Sequence, residues 1–241
     1  MTKDLDLPRR TLVKAIAASS LMPLLGSNLI ACSDSRHRRT GSQQPLPEPA
    51  IAAQFNHGLA SGDPLTDRVI LWTRVSPESD GEILVIWEVA ADQSFSNIVR
   101  DGSGTTNAAV DYTVKVDVDG LEPSTLYYYR FRVGDTISAM AKTRTAPVGQ
   151  TATAAFAVVS CSNYPAGFFN VYREVAKQEV DAVLHLGDYL YEYGQGGYAT
   201  DRAEEYGRVP EPSHEMLELA DYRARYAQYR GDPDLQAAHA A

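Results

Sequence analysis

The pattern of hydrophobic positions changes once along the chain, near residue 150. From residue 52 to 147 the apolar residues fall in short runs, several of which alternate with polar residues, and turn-forming residues separate the runs. Alternation with a period of two indicates strands with one buried face, and short strands at regular spacing favour a β-sandwich. The predicted strands are residues 68–75, 82–89, 96–99, 109–118, 126–133 and 137–145.

Two aromatic features fit such a sandwich. Trp87 alternates with Val85 and Val89, so we predict that it is a core aromatic residue. The run that follows Gly120, GLEPSTLYYYRFR, resembles a fibronectin type III or immunoglobulin-like strand with its tyrosine corner, in which a phenol bonds the preceding loop. This resemblance implies a scaffold and no particular reaction.

The second part of the chain has a different pattern. Residues 154–160 and 182–186 are short, continuously apolar runs, as expected of buried parallel strands, and residues 168–177 between them have apolar positions at helical spacing. A β-α-β unit with a right-handed crossover sets its two strands parallel, with both exits on one edge of the sheet. Cys161 follows the first strand and Asp188 the second, so we expect these two side chains to meet.

The residues at these two exits are candidate metal ligands. Tyr191 lies three residues after Asp188 in the loop that follows the second strand. A thiolate, a carboxylate and a phenolate are all anionic donors, and together they suit a trivalent, Lewis-acidic ion such as ferric iron. The alternative is structural: Cys161 as a small buried residue, Tyr191 as a packing aromatic and Asp188 as a cap for the next segment.

Longer motifs carry a family resemblance. SCSNY, FFNVYREVA and DAVLHLGDYLYEYG, in that order, resemble the catalytic domain of the PhoD-like alkaline phosphatase/phosphodiesterase family, and HGLASGDP followed by VILWTR resembles the opening of its amino-terminal domain. The resemblance covers residues 52–241. It implies metal-dependent hydrolysis of phosphate mono- or diesters by ferric iron and calcium. Cys161, Asp188 and Tyr191 match the iron-ligating positions, and Asp188 also matches the carboxylate that bridges toward calcium.

The resemblance also implies a fold. We expect a mainly β part followed by an α/β part: a fibronectin III/immunoglobulin-like β-sandwich at residues 52–147, and at residues 152–241 the first β-α-β part of a calcineurin-like metallophosphatase sandwich. The family's remaining metal ligands would lie beyond Ala241, and two strands cannot bury a helical layer alone. We therefore interpret the chain as an incomplete amino-terminal part of a longer enzyme, inactive by itself.

The first residues predict export. Arg9 and Arg10 precede a mildly apolar run in residues 1–32, which resembles a twin-arginine signal and implies the twin-arginine translocase as a partner. The run ends in LIAC, which resembles a lipobox with Cys32 as the acylated residue; cleavage nearby and release of a soluble protein is the alternative. Residues 33–51 are predicted to be a disordered linker. We expect a periplasmic or outer-surface location, with a membrane contact through the lipid anchor if there is one.

Charge and cysteine content narrow the function classes. The net charge of −9 argues against a nucleic-acid groove, which requires clustered Lys and Arg. A disulfide between the chain's two cysteines, Cys32 and Cys161, is disfavoured because nothing places a signal end beside a buried strand. Two functions stay open at this stage: the phosphatase, with monoester or diester preference undecided, and an exported β-sandwich binding lipoprotein with a vestigial catalytic region.

Three neighbouring polar features are assigned structural roles. His185 lies inside the second apolar strand, so we expect a core histidine with hydrogen-bonded ring nitrogens. Asn163 follows Cys161, and we expect its amide to stabilise the loop; a contact to phosphate or metal is the alternative. Residues 194–212, rich in Gly, Pro and charged residues, are predicted to form a surface loop over the entrance of the site or a plain solvated loop.

Overall fold

The computed structural model describes residues 51–241, which form a mainly β structure with few helices. Arg9, Arg10 and Cys32 lie outside the described residues, as do residues 33–50 of the predicted linker. Ile51, which the sequence assigns to the linker, packs against the hydrophobic core. Within residues 51–241, no helix combines the length and apolar character needed to cross a membrane.

Twelve strands and three helices make up the described part. The strands are β1 (Ala53–Gln54), β2 (Leu59–Gly62), β3 (Val69–Arg74), β4 (Ser76–Pro77), β5 (Ile83–Ala90), β6 (Ile98–Thr106), β7 (Thr113–Val118), β8 (Leu126–Val133), β9 (Thr136–Ile137), β10 (Ala141–Arg144), β11 (Phe156–Val159) and β12 (Ala182–His185). The helices are α1 (Asn170–Val175), α2 (Leu219–Arg230) and α3 (Pro233–Ala240), and two short 3₁₀ turns are Ala108–Val110 and Tyr164–Ala166.

The first ten strands form two larger antiparallel sheets and one short pair. One sheet has the order β2-β3-β7, the other has the order β10-β8-β5-β6 with β9 beside β8, and β1 pairs with β4. Both larger sheets contribute to one core: Val69 and Leu71 of β3 are buried in alternation, as are Tyr129 and Phe131 of β8. The alternation read from the sequence therefore identifies the buried face of these strands.

Trp87 is not a central core residue. It is only partly buried and packs against the edge of the core. Its ring lies over Gly102 of the neighbouring strand β6, where an added Cβ would be 2.5 Å from a ring carbon. Trp72 of β3 packs elsewhere, edge-on against Tyr226 of α2 with the ring centroids 6.0 Å apart.

Three predicted strand boundaries were wrong. The strand predicted at residues 96–99 extends to Thr106 as β6, an edge strand of the five-stranded sheet whose exposed residues show no apolar alternation. The strand predicted at 109–118 begins only at Thr113, because Ala108–Val110 form a 3₁₀ turn. The strand predicted at 137–145 is divided into β9 and β10, where the Ser138 hydroxyl accepts a hydrogen bond from the Phe131 N–H at 2.9 Å.

The corner before β8 allows a direct test of the tyrosine contact. The buried phenol oxygen of Tyr127 accepts a hydrogen bond from the backbone N–H of Glu122 at 2.9 Å. Tyr127→Phe removes this acceptor and leaves the N–H without a partner, so we expect a loss of about 1–3 kcal/mol in unfolding free energy, measured by denaturant titration. Tyr128→Phe is the matched control, since that phenol bonds only the exposed Gln93 amide at 3.3 Å. Equal losses in both variants would contradict the expectation.

The remaining residues form the β-α-β unit and two further helices. β11 and β12 are parallel, with Phe156 opposite Ala182 and Val159 opposite His185, as the apolar runs predict. The predicted burial of these strands is wrong, since Val158 and Leu184 are exposed. The helix between them is shorter than predicted, since α1 covers Asn170–Val175 rather than 168–177. A second core joins this unit to α2 and α3, and its buried members are Phe169, Tyr172, Tyr229 and Leu235.

Candidate metal centre

The exits of β11 and β12 lie side by side. Beyond the last paired residues, the N–H of Cys161 donates to the Gly187 carbonyl at 3.1 Å, and the N–H of Ser162 donates to the Asp188 carbonyl at 2.8 Å. Backbone pairing therefore continues into the two loops and holds Cys161 next to Asp188. This placement follows from the parallel arrangement of the strands, as the sequence predicts.

The three predicted ligand side chains converge on one oxygen atom. Sγ of Cys161 lies 3.5 Å from Oδ2 of Asp188, and the phenol of Tyr191 donates to the same Oδ2 at 3.1 Å. Cys161 and Asp188 are exposed, and Tyr191 is half-buried. A thiol, a carboxylate and a phenol are thus within mutual contact at an accessible position on the edge of the sheet.

The backbone at both exits has an unusual conformation. Cys161 has φ +60° and Asp188 has φ +54°, both in the left-handed region that residues with a Cβ rarely adopt. Such conformations cost about 1–3 kcal/mol each and are concentrated at functional sites, where they orient side chains. Six other non-glycine residues among residues 51–241 also have a positive φ, so this conformation does not by itself distinguish the site.

The donor set fits a highly charged cation. Burial raises the pKa of Tyr191 above its usual value, and the hydrogen bonds with Cys161 and Asp188 and the negative charge of both groups add to the rise. The thiol, the carboxylate and the phenol offer sulfur and oxygen donors that suit such a cation. Residues 51–241 contain no group of three or more His, Cys, Asp and Glu side chains that could hold a metal ion. The candidate set comprises two side chains of these types, Cys161 and Asp188, together with the phenol of Tyr191.

Behind the exits, a hydrogen-bonded group holds the loops in place. Nε2 of His185 lies 3.0 Å from both the Ser162 hydroxyl and the Tyr172 phenol, which also contact each other, and Nδ1 accepts from the Gly187 N–H at 3.3 Å. Burial lowers the pKa of His185, and the charge of Asp188 opposes this. Both ring nitrogens have partners, in agreement with the structural role predicted for His185.

Asn163 differs from the expectation. Both polar atoms of its side-chain amide are buried, and neither has a hydrogen-bond partner. The amide therefore does not stabilise the loop by hydrogen bonding within the described part of the chain. A cleft of about 370 Å³ opens beside it, and its lining includes Cys161, Phe168 and Val171. Its volume is within the range of small-molecule sites.

The loop at residues 194–212 is better anchored than its composition suggests. Thr200, Ala203 and Arg208 are buried, and the Arg208 guanidinium pairs with the carboxylate of Asp232 at 2.7 Å. The loop begins directly after Tyr193 and is therefore the continuation of the segment that carries Tyr191. It is a packed element beside the candidate site, not a plain solvated loop.

Sequence reasoning missed the arginines of α2. The guanidinium of Arg225 is buried and donates to the backbone carbonyl of Tyr191 at 2.5 Å. Arg223 donates to the carbonyls of Ala108 and Ala109 at 3.4 and 2.7 Å. The only signal in the sequence is the run YRARYAQYR, in which arginines lie among tyrosines, and it does not show which arginine is buried.

Comparison with known proteins identifies the class of protein to which the chain is related, the phosphatases. Residues 41–147 match the model of the PhoD-like phosphatase N-terminal domain, and residues 156–241 match the model of the PhoD-like phosphatase itself. The chain belongs to the PhoD-like phosphatase family.

Two relatives support this assignment. Alkaline phosphatase D of Bacillus subtilis (strain 168) is 44% identical over 197 residues, which are 78% of this chain and 33% of the relative. A solved structure described as the structure of PhoD superposes with a TM-score of 0.73 at 41% identity, covering 82% of this chain and 38% of that one. This chain thus spans about a third of the length of the curated relative.

Proposed function

We propose that this chain contributes to metal-dependent hydrolysis of phosphate mono- or diesters, with Cys161, Asp188 and Tyr191 holding a ferric ion. The observation that carries the proposal is the convergence of the three candidate donors: Cys161 and Tyr191 lie 3.5 and 3.1 Å from one carboxylate oxygen of Asp188. Membership of a phosphatase family supports the reaction class, and that family depends on metal ions in general. The alkaline phosphatase name of the Bacillus relative supports phosphate esters as substrates.

The carboxylate of Asp188 has the geometry to face a second cation. Both contacts, from Cys161 and from Tyr191, use Oδ2, and no hydrogen bond in the described part of the chain involves Oδ1. A carboxylate with one oxygen toward iron and one oxygen free can bridge to a hard cation such as calcium, which prefers oxygen ligands. We propose this bridging role for Asp188.

The residues of the chain have separate tasks in this proposal. A bound ferric ion would supply Lewis-acid polarisation of a phosphoryl oxygen. Cys161 and Tyr191 bind it as anions, which favours the ferric over the ferrous state because each donor offsets positive charge. The bonded group of His185, Ser162 and Tyr172 keeps the Cys161 loop fixed against the sheet. Phe168 and Val171 give the adjacent cleft an apolar wall, which suits the organic part of a phosphate ester.

Metal removal tests the proposal directly. In the complete gene product, we expect chelation of iron to reduce hydrolysis of aryl phosphate monoesters and bis-aryl phosphate diesters at least about 100-fold, because even loss of a supporting residue around a metal costs 10–100-fold. Ferric iron with calcium should restore the rate, and magnesium alone should not. Full activity without iron would contradict the ferric assignment, and no activity under any metal would favour the binding lipoprotein.

Export and domain roles are further parts of the proposal. We infer from Arg9, Arg10 and Cys32 that the twin-arginine translocase exports the protein to the periplasm or outer surface, with acylation of Cys32 as one route to a membrane anchor. We also propose that the two larger β-sheets form a fibronectin III-like sandwich and that β11, α1 and β12 begin a metallophosphatase domain. The shared core of the two sheets and the parallel β11–β12 pair support this division.

A further inference from the structure

Arg225 of α2 has a set of partners that no other arginine of the described chain has. Its guanidinium is buried, with an exposure of 1%, and it donates to four backbone carbonyls. Nη1 donates to the carbonyls of Tyr191 and Tyr193 at 2.5 and 3.1 Å. Nε donates to the carbonyl of Glu211 at 3.0 Å, and Nη2 donates to that of Pro212 at 2.8 Å.

These four carbonyls belong to the two ends of one loop. Tyr191 and Tyr193 precede residues 194–210, and Glu211 and Pro212 follow them. Backbone bonds also join the two ends, from the Gln195 N–H to the Ser213 carbonyl at 2.7 Å and from the Met216 N–H to the Glu192 carbonyl at 3.0 Å. Closure of the loop therefore does not depend on Arg225 alone, whereas Arg225 is the group that bonds the carbonyl of Tyr191 itself.

The charge of Arg225 is not used in an ion pair. Among the ion pairs of residues 51–241, Arg208 at the end of the same loop pairs with Asp232, but none involves Arg225. A buried guanidinium satisfied only by carbonyls bears a desolvation cost that a neutral donor would avoid. Its planar fork has one advantage: it fixes several acceptors at defined angles, which an ammonium group cannot do.

We propose that Arg225 is a positioning residue for the phenol of Tyr191, holding the Tyr191 backbone so that the side chain reaches Asp188. The proposal rests on the proposed role of Tyr191 as an iron ligand. Arg225 contacts the ligand residue through its carbonyl, and no hydrogen bond or ion pair within residues 51–241 joins it to Cys161 or Asp188. Groups that orient a metal ligand in this way strongly affect metal affinity.

The test compares Arg225→Lys with Arg223→Lys in the complete gene product. Both residues lie on α2 and donate to backbone carbonyls, but the partners of Arg223 are in the turn at Ala108 and Ala109. Ferric iron is titrated into the metal-free proteins, and binding is followed by the phenolate-to-iron charge-transfer band. We expect about 10–100-fold weaker iron binding and a shifted band in Arg225→Lys, with Arg223→Lys unchanged within about twofold.

A second variant and a second readout separate positioning from folding. Arg225→Gln removes the buried charge and leaves one amide donor, so it tolerates burial better than lysine and should also weaken iron binding. Thermal unfolding of the metal-free variants measures how much Arg225 contributes to the stability of the fold. A lower melting temperature with an unshifted band and unchanged iron affinity in both Arg225 variants would overturn the positioning role while the phosphatase proposal stands. Absence of iron binding in the unaltered protein would overturn both.

Discussion

Phenylalanine in place of Tyr191 is expected to remove the charge-transfer colour of the iron-loaded protein and to reduce phosphate ester hydrolysis at least about 100-fold. The two side chains differ only in the phenol hydroxyl, which donates a hydrogen bond to Oδ2 of Asp188 at 3.1 Å in the structure. Phenylalanine keeps the ring packing with Tyr193 and Tyr198, whose ring centroids lie 6.4 and 6.2 Å away. The fold should therefore survive while one anionic donor is lost.

A second ligand variant and a control accompany Tyr191→Phe. Cys161→Ser replaces a thiolate by a neutral hydroxyl of similar size and should lower iron content as strongly as Tyr191→Phe, because both remove an anionic donor. Tyr193→Phe is the control, since Tyr193 is exposed and two residues from the ligand. Iron content is measured by elemental analysis alongside activity on mono- and diesters. Normal iron content and colour in Tyr191→Phe would remove Tyr191 from the ligand set.

Asp232→Ala is expected to be the most destabilising single substitution outside the hydrophobic cores, at about 3–5 kcal/mol of unfolding free energy. The carboxylate pairs with Nη1 of Arg208 at 2.7 Å, and both side chains are about 5% exposed. Removing one partner leaves an uncompensated charge inside the protein. Arg208 cannot withdraw easily, because its guanidinium lies 3.5 Å from the centre of the Tyr164 ring and Nε donates to the Tyr164 carbonyl.

Two further variants separate the contributions of the buried ion pair and of the helix cap to this loss of unfolding free energy. Oδ1 of Asp232 also caps α3 by accepting from the N–H groups of Asp234 and Leu235 at 2.9 and 3.2 Å. Asp232→Asn keeps a cap acceptor and removes only the charge, so it should recover about 1 kcal/mol of the loss. Glu174→Ala breaks the exposed pair with Lys177 and should cost no more than about 1 kcal/mol. Equal losses of unfolding free energy in Asp232→Ala and Glu174→Ala, measured by denaturant titration, would contradict the large cost expected for the buried pair.

The sequence predicted that Cys161 and Asp188 lie side by side because their placement depends on few local rules. Cys161 and Asp188 each follow an apolar strand, and parallel pairing of those strands brings the exits together whatever the rest of the chain does. Tyr191 is close in sequence to Asp188, so its proximity requires no long-range information. Nothing in the sequence indicated the left-handed backbone at Cys161, whereas an aspartate such as Asp188 adopts that conformation more often than most residues with a Cβ.

The contacts that support the candidate site, and some details of the fold, could not be predicted from the sequence, and the reasons are physical. Arg225 bonds carbonyls up to 34 residues away, and backbone carbonyls occur at every position, so the sequence does not indicate which ones an arginine will meet. Edge strand β6 was underpredicted because it pairs with one neighbour and leaves most side chains in solvent, where polar residues are tolerated. Trp87 was overassigned to the core because alternation shows which face a residue occupies but not how far from the edge it lies.

X-ray absorption at the iron edge can show directly whether Cys161 is a ligand of the bound iron. It should be recorded on the iron-loaded complete gene product with Cys32→Ser, which excludes the other cysteine of residues 1–241. We predict a sulfur ligand together with oxygen ligands, and we predict that the sulfur contribution disappears when Cys161→Ser is added. An iron environment of oxygen and nitrogen alone, unchanged by that substitution, would contradict the assignment of Cys161 to the metal centre.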